Sequence, residues 1–193
     1  MATKTETTRN LQGKELPPPG RWIVDTSHSE IQFIARHMMI SRVRGRFREF
    51  SATIEIAEDP EQSSVVAAIN AESIDTGDPE RDRHLRSEEF LDVEHYPEII
   101  FRSTSVRAVD DRWHVVGDLT IRNVTKSITM DVEYCGVAKD PWGNLRAGFL
   151  GSTEINREEF AMTWNQVLES GGFVVGKGVK VEIDVEAVYQ SEN

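Results

Sequence analysis

Cysteine is almost missing from this chain: Cys135 is the only one in 193 residues. An intrachain disulfide is therefore excluded, and a thiolate metal centre is disfavoured; Cys135 reads as a small strand residue. Long hydrophobic runs are missing too. No stretch approaches the roughly 18 apolar residues that mark a spanning helix, so no stable membrane insertion is expected. Basic charge is outweighed, with 22 Lys and Arg against 33 Asp and Glu and a net charge of -11. Binding a phosphate backbone needs the opposite balance, so nucleic acid is not expected as a partner. The first twenty residues carry no apolar signal core, which points to the cytoplasm. Phosphate-binding and dinucleotide-binding glycine patterns are absent, and "GGFVVGKG" at 171–178 reads as a loop entering the last strand. The five histidines, His28, His37, His84, His95 and His114, show neither the i, i+4 spacing of a helical zinc site nor an alternating pair on a strand, so no metal is expected.

What is present is period-two alternation. In "VKVEIDVEAVY", Val179, Val181, Ile183, Val185, Ala187 and Tyr189 share one face, while Lys180, Glu182, Asp184 and Glu186 share the other. "KSITMDVEYC" repeats this with Ile128, Met130, Val132 and Tyr134. Residues 113–122 and 124–137 read as a hairpin turning at Asn123, a residue that tolerates positive φ. Further strands are expected at 21–25, 29–40, 44–57, 62–71, 98–109 and 144–155, with a bulge where the pattern switches face around Phe47–Phe50. Many antiparallel strands with one polar face form a sandwich or a barrel. Several expected inward positions are small: Ala35, Ser103, Ser105, Gly117, Ala147, Gly151 and Thr153. A packed sandwich fills such positions with large aliphatics, whereas an eight-stranded barrel with small inward residues leaves room for one ligand. Two segments interrupt the strand rhythm. One is 78–91, containing "RDRHLRSEEF". The other is 156–172, where Phe160, Trp164 and Leu168 recur at helical spacing. Both fit caps over barrel openings. Residues 1–20, ending in "LPPPG", read as a flexible tail ahead of a domain spanning 21–190.

Candidate chemistry is sparse. His37 shares parity with Phe33 and is expected to point inward. "DTSHS" at 25–29 places Asp, His and Ser side by side, but a catalytic triad is a spatial arrangement, and adjacency reads as a turn. In the basic insert, Leu85 and Phe90 are expected to anchor the segment. Arg81 and His84 share a face suited to a phosphate or carbonyl head group. The alternative is a salt-bridged insert that only covers the barrel.

Taken in order, "WIVDTSHSEIQFIARH", "SIDTGDPERDRHLRSEEFLDVEHYPEIIF", "GDLTIRNVTKSITM", "INREEFAMTWN" and "VGKGVKVEIDVEA" resemble the YceI-like family from about Trp22 to Val188. The resemblance implies an all-β, eight-stranded antiparallel lipocalin-like barrel with short helical inserts capping the ends. It also implies an internal tunnel for a long apolar lipid, a polyisoprenoid or isoprenoid quinone. No catalytic residue or cofactor is implied, and a homodimer is compatible with the resemblance. The ligand-binding set expected from these readings is Phe33, His37, Phe101, Phe149 and Gly151 on strands, Arg81 and His84 on the first insert, and Phe160 and Trp164 on the second. Asn123 and Ala161 stand where glycine is common in the family. Two other readings stay open: an enzyme or electron-transfer accessory acting on a quinone through His37 or His84, and a stress-associated structural protein whose barrel is filled by side chains.

Overall fold

Alternating apolar and polar residues place successive side chains on opposite faces of a strand, and long alternating runs here bend into a closed wall. The computed structural model describes residues 9–11, 14–169 and 171–191. The strands are β1 (Arg9–Leu11), β2 (Lys14–Leu16), β3 (Gly20–Val24), β4 (Glu30–His37), β5 (Ser41–Phe47), β6 (Phe50–Ile56), β7 (Ser64–Asn70), β8 (Ile74–Asp75), β9 (Glu98–Val109), β10 (Arg112–Ile121), β11 (Val124–Lys139), β12 (Leu145–Asn156) and β13 (Val175–Gln190). The single α-helix among the described residues is α1 (Pro79–Arg86).

The register makes eight barrel strands of these pieces. One edge of β13 pairs with β12 from Gly178↔Asn156 to Val188↔Arg146. Its other edge pairs with β4 through Asp184↔Glu30 and then with β3 from Ala187↔Val24. So β3 and β4 form one interrupted strand, as do β5 with β6 and β7 with β8. All neighbours are antiparallel, and the β12–β13 pairing closes the ring. Closure leaves no long free edge on the barrel. The interruptions have local causes. The Asp25 and Asn70 side chains cap the 3-10 turns Thr26–His28 and Ala71–Ser73. Arg48 and Glu49 separate β5 from β6, at the expected change of face.

Both inserts lie at the same end of the barrel. α1 begins as its sequence dictates: Asp78 accepts from the amides of Glu80 and Arg81, Pro79 opens the first turn, and basic residues fill the last. Phe90 is buried, and Leu85 packs on the adjoining core. The second insert departs from expectation. Only Arg157–Phe160 is helical, a 3-10 turn that ends at Ala161 with φ 60°. Phe160, Trp164 and Leu168 therefore do not form a helical stripe. The reason is competition for the backbone. Arg157 takes the carbonyls of Met162 (2.6 Å) and Trp164 (2.9 Å), and Asn165 bridges both backbone groups of Val175. The turn between β10 and β11 also differs, because Arg122 (φ 56°), and not Asn123, takes the left-handed conformation. Arg122 thereby reaches both inserts, donating to Ala161 O at 3.0 Å and facing Asp92 at 3.6 Å.

The opposite end is closed by residues expected to be a loose tail. β1 and β2 pair as a hairpin. Leu16 is buried, and Arg9 donates to Ala57 O (2.6 Å), Glu58 O (2.7 Å) and Pro17 O (3.1 Å). The Trp22 indole donates to Pro18 O. The polar composition of the segment hid the buried Leu16 and the carbonyl partners that tie it down. Residues 1–8 lie outside the described residues.

Candidate ligand cavity

The inward faces predicted from alternation converge on one apolar cavity of about 220 Å³. Ile128, Met130, Val132 and Tyr134 of β11 line it, as do Val181, Ile183 and Val185 of β13. It lies between two packed clusters. One, on the insert end, contains Ile69, Leu91, Ile121 and Phe160; the other surrounds Trp22, Ala147 and Ala187. At the far end Leu16, Pro17, Pro60 and Ser63 form its rim.

The expected site residues divide into three groups. Phe101 and Phe149 line the cavity. Phe33, Gly151 and Phe160 face the interior but are covered. Phe33 packs 5.8 Å from Phe47 and lies over Gly45. A Cβ on Gly151 would come 2.7 Å from Ile183 Cγ1. Phe160 is almost fully buried in the core below. His37, Arg81, His84 and Trp164 do not line the cavity. His37 ends β4, paired with Ser41 and Val175. Ser105 also moves away from the cavity: the register shifts between Val116 and Gly117, and Val106 lines it instead.

The basic insert is internally satisfied. Arg81 donates to Thr76 Oγ1 (2.7 Å) and Thr76 O (3.1 Å), and Arg86 to Glu72 O (2.7 Å) and Ile74 O (2.8 Å). Arg83 pairs with Glu80. His84 Nε2 lies 2.6 Å from Glu89, with its ring edge-on to Trp164 and Phe90. Three arginines thus fasten a cap to the loop preceding it or to itself.

"DTSHS" forms a second polar cluster. Ser27 Oγ and Asp25 Oδ2 both lie 3.0 Å from the same ring nitrogen, His28 Nδ1. A relay needs the acid and the hydroxyl on opposite nitrogens, so this is a turn. Asp25, His28 and Glu186 are close enough to share a cation, but Arg146 Nη1 already donates to Asp25 (2.7 Å) and Glu186 (2.5 Å). Hydrogen bonds from Ser27, Arg146 and His28 hold the Asp25 carboxyl well below the ordinary range. Those from Arg146 and Asn144 do the same for Asp140.

Three features escaped the sequence reading. Arg157 is 2% exposed, has its Nε on Gly176 O at 2.9 Å, and gives its hydrogen bonds to backbone carbonyls while its guanidinium lies over the Phe90 ring; burial lowers its pKa. Asp82 is buried, accepting from Thr76 N and Oγ1. Ala52 and Ala67 line the cavity as small residues. The spacing in "NREEF" gives no sign that its arginine turns inward.

A sequence model of the YceI-like domain matches residues 22–187. The chain belongs to the YceI-like family. An UPF0312 protein of Staphylococcus epidermidis is 40% identical over 164 residues, covering 84% of this YceI-like chain and 94% of that protein. One from Staphylococcus aureus is 38% identical with the same coverage. Among solved structures, the YCEI protein of Campylobacter jejuni superposes with TM-score 0.68 at 29% identity, covering 81% of this chain and 90% of that one. A polyisoprenoid-binding domain from Saccharophagus degradans, implicated in plant cell wall breakdown, superposes with TM-score 0.67 at 14% identity over 90% of this chain and all of that one. At that identity the likeness is one of fold.

Proposed function

We propose that this protein binds a long apolar lipid, a polyisoprenoid alcohol or an isoprenoid quinone, inside its barrel, and stores or carries it without chemical change. The observation that carries this reading is the apolar cavity walled by β6, β7, β9–β13 and rimmed at one end by Leu16 and Pro17. Burying a hydrocarbon chain there is favourable by about 25 cal/mol per Å² of apolar surface. The family assignment supports the same reading. A barrel filled by its own side chains is disfavoured by the space itself. A quinone-linked reaction finds no support at His37 or His84, because neither borders the cavity.

Organic extraction and native mass spectrometry of the purified protein test the proposal. The expected result is one isoprenoid lipid per barrel, or stoichiometric uptake of added decaprenol. A protein that carries no lipid and takes up none would overturn it.

A further inference from the structure

The barrel wall has a gap. The ladder between β3 and β6 stops at Ile23↔Thr53, and the ladder between β4 and β5 resumes at Ile31↔Phe47. Between them, residues 24–30 and 48–52 face each other without a backbone pairing. Outside this gap lies a polar groove of about 450 Å³, bordered by Ser27, His28, Ser29, Arg46, Arg48 and Phe50. Inside it lies the apolar cavity, bordered by Val24, Ile31, Ala52 and again Phe50. Phe50 thus borders both the polar groove and the apolar cavity, at the point where no ladder between β3 and β6 or between β4 and β5 has to break.

Charge sets what the groove accepts. Arg48 is neutralised by Asp75 at 2.6 Å, and Arg46 lies 3.4 Å from both Asp75 and Glu30. Glu30 and Asp184 also border the groove. An anionic head group would meet these carboxylates with no cation left over. A hydroxyl meets an acceptor instead: His28 donates through Nδ1 toward Asp25, which leaves Nε2 of the neutral ring free to accept.

We propose that this groove is the polar subsite of the lipid ligand: it holds an uncharged hydroxyl head group while the chain passes Phe50 into the cavity through the gap between β3–β4 and β5–β6. The inference rests on the lipid-binding function proposed above.

The test plugs the groove from outside. In a Cys135→Ser background, Ser27→Cys and, separately, Ser64→Cys at the opposite rim are labelled with fluorescein maleimide. Uptake of radiolabelled decaprenol from phosphatidylcholine vesicles is then timed. The label at position 27 is expected to slow uptake and weaken decaprenol binding by about tenfold or more, and the label at 64 to change neither. Phe50→Ala should speed release, and decaprenyl phosphate should bind no more tightly than decaprenol. Slowing by the label at 64 alone, or tighter binding of the phosphate, would overturn the subsite while leaving lipid binding intact. If the unlabelled parent takes up no decaprenol, the lipid-binding function falls, and the subsite with it.

Discussion

Ala52 on β6 stands directly opposite Ala67 on β7, and both border the cavity. Two methyl side chains meeting across adjacent strands leave space that a larger pair would occupy. Ala67→Leu is expected to weaken decaprenol binding by about tenfold or more, at a stability cost below about 1 kcal/mol, because it fills vacant space. Gly151→Leu, also inward, meets Ile183 and Met130 at once and should cost about 1–3 kcal/mol by overpacking. Urea denaturation and equilibrium lipid binding on both variants check the contrast.

Arg81 is committed to Thr76, so its removal should act through the cap. Each bond from a charged donor is worth about 1.5–3 kcal/mol, and Arg81 makes two to Thr76. Arg81→Ala is expected to change the affinities for decaprenol and decaprenyl phosphate by the same factor. A selective loss for the phosphate would assign Arg81 to a head group instead.

Arg157 holds four carbonyls from Met162, Trp164, Val175 and Gly176 while almost fully buried. Arg157→Met removes its donors from all four, while Val175 O keeps its bond from Asn165, and a stability loss of about 3 kcal/mol or more is expected in urea. Hydrogen exchange should accelerate first in residues 161–175, the segment these bonds fasten.

Ala161 sits at φ 60°, where a Cβ is disfavoured. Ala161→Gly relieves that conformation and should raise stability by about 1 kcal/mol, visible as a higher Tm.

The Arg146 cluster gives stability an acid dependence. Asp25 and Asp140 have folded pKa values depressed below their unfolded ones. Their contribution is therefore complete above the unfolded carboxylate value of about 4. It is lost as pH falls through the folded value, because the unfolded chain then binds more protons. Arg146→Gln removes a leading cause of both shifts, so the fall in Tm between pH 5 and pH 2 should become shallower than in the parent.

Alternation along Ile128–Tyr134 and Val179–Tyr189 was enough to assign strands and their inward faces there, because a two-residue period is a purely local consequence of the pleat; the choice of a closed barrel over a sandwich rested on small inward residues and the family resemblance. The cap of α1 was equally local, written in Asp78 and Pro79. What the chain could not announce was decided by partners distant in sequence. Leu16 and Arg9 close a mouth because Ala57, Glu58 and the cavity rim lie beneath them. Trp164 leaves its helical spacing because Arg157 and Asn165 outcompete the local amides for carbonyls. Arg81 and His84, a head-group pair by spacing, are absorbed by Thr76 and Glu89. The gap beside Phe50 exists only once two separately interrupted strands lie next to each other. Side-chain periodicity is set residue by residue, whereas the choice among competing hydrogen-bond partners is made only when the barrel brings them within reach.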